Sequence, residues 1–108
     1  MDASKYQLDA RETAIYPGMG QMEGLAYVTL GLNGEAGEVA ELVKKWMRGD
    51  RDPDFLKKCE KELGDVCWYV AMACFELDLD LSGVMEKNIE KLRSRKVRGM
   101  LQGNGDDR

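Results

Sequence analysis

From Val66 to Phe75 the chain runs through ten residues without a charge. Wound as a helix, such a stretch is apolar on every face and must be covered on all sides. The sequence before it alternates Lys57, Lys58, Glu60 and Lys61, and Asp52-Pro53 offers a capping carboxylate followed by a proline suited to a first helical turn. A helix is therefore predicted from about Pro53 to Leu77. The 108 residues suffice for one domain but not for the full cover this helix needs, which predicts an obligate oligomer.

Three further helices follow from spacing. Leu25, Val28, Leu32, Val39, Leu42, Val43 and Trp46 recur with helical period, giving a long helix from about Gly24 to Arg48. It is interrupted by Gly31, Gly34 and Gly37, each costing about 1 kcal/mol relative to alanine, and Tyr27-Val28-Thr29 has some strand preference. Glycines at three-residue spacing line one side and suggest close approach by another helix or a ligand. Tyr6, Ala10 and Ala14 indicate a shorter helix from Asp2 to Tyr16, closed by Pro17-Gly18. Asp80 or Ser82 can cap a last helix from about Leu81 to Arg98. The fold class is all-α, a four-helix bundle over residues 1–98, followed by a tail of residues 99–108 that holds three glycines and is expected to be flexible.

Charge and composition narrow the function. A net charge of −4 speaks against binding a nucleic-acid polymer, which needs a basic face, but not against a nucleotide pocket. No stretch reaches the roughly 20 apolar residues of a membrane span, and the first residues lack a signal-peptide core, so a cytoplasmic location is expected. Cys59, Cys67 and Cys74 fall in one helix and the chain has no histidine, which disfavours disulfides and zinc and leaves buried free thiols as the expectation.

The chemistry concentrates in two acidic phrases, Glu35-Ala-Gly-Glu38 and Glu62-Leu-Gly-Asp65. At about 100° per residue each pair presents two carboxylates about 60° apart on one helix face. If the second and third helices pack antiparallel, the pairs face one another. Carboxylates in apolar company need a cation, which can be lysine, arginine or a metal. Were it a metal, oxygen-only ligation would select Mg2+ or Mn2+, and Mg2+ commonly shares its shell with substrate phosphates. Glu41, and the pair Glu86 and Glu90, read instead as solvated faces. On the last helix Asn88, Lys91 and Arg95 share one stripe suited to phosphate oxygens, or to neighbouring acids. Tyr69, seven residues after Glu62, returns to the acidic side and could contact sugar, base or phosphate. Trp46 and Trp68 are either core or platforms for a base.

Taken together, Leu-Asn-Gly-Glu35-Ala-Gly-Glu38-Val-Ala-Glu41, then Glu62-Leu-Gly-Asp65-Val-Cys-Trp-Tyr69, then Lys87-Asn88-Ile-Glu-Lys91-Leu-Arg-Ser-Arg95 resemble the MazG-type nucleotide pyrophosphohydrolases over roughly Leu25 to Arg98. Gly34 departs from members that carry a further glutamate there, which leaves the four-carboxylate core intact. The resemblance implies an all-α dimer or tetramer with sites near subunit interfaces. It also implies Mg2+-dependent cleavage between the α and β phosphates of a nucleoside triphosphate. In that reading Glu35, Glu38, Glu62 and Asp65 hold metal, Glu38 serves as general base, and Asn88, Lys91 and Arg95 hold the phosphates. The same scaffold could act on another pyrophosphate-linked nucleotide, such as a phosphoribosyl nucleotide or an alarmone, or bind nucleotide without catalysis.

Overall fold

The computed structural model describes all of residues 1–108 and contains four helices and no strand: α1 (Ala3–Glu12), α2 (Met22–Met47), α3 (Phe55–Glu76) and α4 (Leu81–Val97). None is long and apolar enough to cross a membrane. The central unit is the antiparallel hairpin of α2 and α3. Its register can be followed through Trp46 stacked on Phe55, Glu35 beside Glu62, Gly31 under Tyr69 and Gly24 beside Glu76.

Boundaries moved where side chains compete with the helical ladder. α1 stops at Glu12 and not at Tyr16, because the Thr13 hydroxyl donates to the Ala10 carbonyl at 2.7 Å and accepts the Trp68 indole N–H at 2.8 Å. The released segment carries Ala14 and Tyr16 into the core, where Tyr16 stacks on Tyr27 and donates its hydroxyl to Glu76. Glu76 also accepts the Gly20 N–H, so one carboxylate fixes the α1–α2 turn to the end of α3. Asp52-Pro53-Asp54 forms a turn ahead of α3 and does not begin the helix itself. The Asp52 side chain accepts the Asp54 N–H and pairs with Lys58. Asp80 caps α4 as expected, accepting the Gly83 N–H at 3.2 Å. Gln7 of α1 clamps that corner, donating to the Leu79 carbonyl and accepting the Leu81 N–H, both at 2.9 Å.

The helices do not close into a four-helix bundle within one chain. α2 packs on α3 alone, while α4 touches α1 and α3. The radius of gyration is 16.6 Å, where a compact chain of this length would have about 13 Å. Ten of the 108 residues are buried, and Leu30 and Leu56 stand 74% and 79% exposed. Even the apolar run that most needs cover keeps an open side. Val66, Cys67 and Val70 line a groove of about 420 Å³ with Tyr6 and Met85. Of the three thiols expected inside, only Cys74 is buried; Cys67 is exposed because it faces this groove.

The ends of α2, α3 and α4 share one device, in which the second residue past the cap donates back over the last turn: Asp50 N–H to Lys45, Leu79 N–H to Cys74, Met100 N–H to Arg95. Each requires a left-handed residue, supplied by Gly49 and Gly99 but by Asp78 (φ 58°) at the end of α3. We expect Asp78→Gly to stabilise the fold by about 1 kcal/mol, since it removes the Cβ clash of that conformation. Thermal unfolding checks it.

Candidate metal centre and phosphate-binding stripe

Glu35 leaves α2 toward α3, and Glu62 and Asp65 rise from α3 one turn apart. One carboxylate oxygen from each lies within 4.8 Å of the other two. None of the three forms an ion pair with lysine or arginine. Glu41, by contrast, is neutralised by Lys44 at 2.9 Å and Lys45 at 3.8 Å, as a solvated helix face should be. The cost of the convergence appears in Glu35, whose pKa is raised to about 7. A hydrogen bond shared with Glu62 is the main cause, followed by desolvation and the charges of Glu62, Asp65 and Glu38. Three converging oxygen donors without a protein cation fit a divalent ion that prefers oxygen ligands.

Glu38 stands apart. It is exposed and outside the three-oxygen cluster, although its charge is felt by Glu35. The same offset of about 60° separates Glu62 from Asp65, which both join the cluster, so the seating of α2 on α3 and not spacing alone leaves Glu38 toward solvent. The four expected ligands therefore separate into three that converge and one beside them.

Tyr69 borders the cluster. Its ring occupies the space above Gly31, where an added Cβ would fall 2.2 Å from the ring, so that glycine is the close approach its spacing suggested. Its hydroxyl pKa is raised by burial first, then by Tyr27, Glu35 and Asp65. Gly34 and Gly37 meet nothing. Trp46 is about 16 Å along α2 from Glu35, stacked on Phe55 with the Arg51 guanidinium 4.5 Å from its ring centroid. It closes the α2–α3 turn, one helix end away from the cluster. Trp68 is core, edge-on to Tyr16 and Tyr69.

On α4 the stripe forms as expected. Asn88 and Lys91 line an open groove of about 510 Å³, and one turn on Arg95 joins Lys91 in reaching a single oxygen, Oδ1 of Asp106, at 3.2 and 3.1 Å. α4 does not touch α2, the helix that carries Glu35. Asp106 went unnoticed in the sequence, where an acidic pair in a glycine-bearing tail carries no positional signal.

The MazG nucleotide pyrophosphohydrolase domain matches residues 24–99, from the start of α2 to just past α4, and so takes in both acidic phrases and the cationic stripe. The chain belongs to the MazG family. It is also similar to the Gene 37 protein of Mycobacterium phage L5, 50% identical over 115 aligned positions that span the whole of both chains. No solved structure is significantly similar to it. α1 and residues 100–108 lie outside the MazG match.

Two outcomes test the site. Gly31→Ala should cost about 1–3 kcal/mol, because the new methyl meets a rigid ring, and urea unfolding measures it. The raised pKa of Glu35 stabilises the metal-free fold below the ordinary carboxylate range, and that contribution is lost as pH rises through about 7. With chelator present the melting temperature should therefore fall from about pH 5 to about pH 8. Added Mg2+ should restore it at the upper end and have little effect at the lower.

Proposed function

We propose that this MazG protein hydrolyses the α–β phosphoanhydride of a nucleoside or deoxynucleoside triphosphate, releasing the monophosphate and pyrophosphate. The observation that carries the reading is the convergence of Glu35, Glu62 and Asp65 without a protein cation. These three would hold Mg2+, for which Mn2+ can substitute. Bound there, the ion supplies positive charge to phosphate oxygens and acidifies coordinated water. Glu38, beside the cluster and exposed, accepts the proton of the attacking water as general base. The Tyr69 hydroxyl contacts substrate at the wall of the site. Asn88, Lys91 and Arg95 bind the triphosphate and offset the charge that develops as the bridging bond breaks.

For the stripe to reach the carboxylates, the working form is a homodimer or a tetramer, in which α4 of one copy approaches the α2–α3 hairpin of another. The extended shape and the uncovered Leu30, Leu56 and Val66–Val70 surfaces favour it.

A panel of NTPs and dNTPs, scored by Mg2+-dependent pyrophosphate release, tests the proposal and identifies the base. Glu62→Gln and Asp65→Asn should each lower kcat/KM by about 100-fold or more. Unchanged turnover in both variants would remove the metal-site assignment.

A further inference from the structure

We infer that the C-terminal tail is an autoinhibitory latch, in which Asp106 occupies the Lys91–Arg95 anion subsite that the substrate's phosphates must take. The inference rests on the proposed phosphate role of that stripe.

The contact is specific. Lys91 Nζ and Arg95 Nη2 converge on one Asp106 carboxylate oxygen, and Arg95 Nη2 also donates to the Asp106 backbone carbonyl. Two cations a turn apart that share one oxygen form the arrangement a terminal phosphoryl oxygen would use. Asp106 is thus a built-in anion in that place, and its pKa is lowered by hydrogen bonds from Lys91 and then Arg95.

The tail is shaped for the contact. Gly99, Gly103 and Gly105 have φ of 71°, 146° and 83°, and these conformations turn the chain back along α4. Arg108 then fastens the loop, donating to the carbonyls of Met100 at 3.0 Å, Leu101 at 2.7 Å and Gly105 at 2.5 Å. Arg98 donates to the Arg108 carbonyl at 2.9 Å. Residues 99–108 turn back along α4 and set Asp106 against Lys91 and Arg95.

The latch is also built to open. The Asp106 side chain is 82% exposed, so its ion pairs are screened by solvent. Arg95 is 3% exposed, yet its Nε is buried with no hydrogen-bond partner. Asp106 therefore leaves one donor of the guanidinium unused, and a triphosphate brings several anionic oxygens against a single carboxylate. Asp106 lies beyond residue 99, where the MazG match ends. The device is therefore attached to the catalytic domain from outside it.

A latch closed for roughly two-thirds to nine-tenths of the time weakens apparent substrate affinity about three- to tenfold. Asp106→Asn, and a chain ending at Met100, should lower KM for the preferred triphosphate by that factor and leave kcat unchanged. Asp107→Asn, which removes the same charge next door, should leave KM as in wild type. Inorganic tripolyphosphate provides an arm independent of catalysis. It should bind Asp106→Asn about three- to tenfold more tightly than wild type by calorimetry. If no nucleotide is turned over by any form, the proposed activity fails, and this binding ratio still decides the latch. Equal tripolyphosphate affinity in wild type and Asp106→Asn, or an equal gain in Asp107→Asn, would overturn it.

Discussion

Repulsion among Glu35, Glu62 and Asp65 is the constraint around which the α2–α3 hairpin is built. Carboxylates this close raise the cost of ionising all three together, and no lysine or arginine of the hairpin is recruited to them. The protein accommodates them by packing elsewhere along the same interface. Trp46 on Phe55 closes one end, Tyr69 over Gly31 holds the middle, and Glu76 fastens the other end to Tyr16 and Gly20. The cluster is therefore held together by its neighbours and not by its own contacts.

The same separation of roles runs through the rest of the chain. The carboxylate cluster lies on the α2–α3 hairpin and the cationic stripe on α4, which touches α3 but not α2. Apolar surface left uncovered on α2, α3 and in the groove between α1 and α4 supplies the force that can join copies.

Much of this was legible in the residues. Helix number followed from periodicity, and the acidic pairs were placed on their helix faces by angle alone, while the sequence offered Asp80 or Ser82 as the last cap and a short connection as the reason for an antiparallel hairpin. The MazG kinship followed from the order and spacing of the phrases and the stripe. Less legible were features set by partners far along the chain. The end of α1 depended on Trp68 reaching Thr13, 55 residues away. Which glycine marked a close approach depended on where the Tyr69 ring landed. Trp46 read as either core or base platform, and its place against Phe55 and Arg51 depended on how the α2–α3 turn folds.

By itself, then, the sequence determined the four helices, the two acidic phrases and the cationic stripe, since all are local arrangements of angle and spacing. Only the tertiary structure decided that three of the four carboxylates converge while Glu38 stays in solvent. It alone brought Asp106 onto Lys91 and Arg95. The physical reason is the same in both cases: Coulombic contacts depend on distances of a few ångströms between groups remote in the chain, and such distances are set by packing and not by pattern.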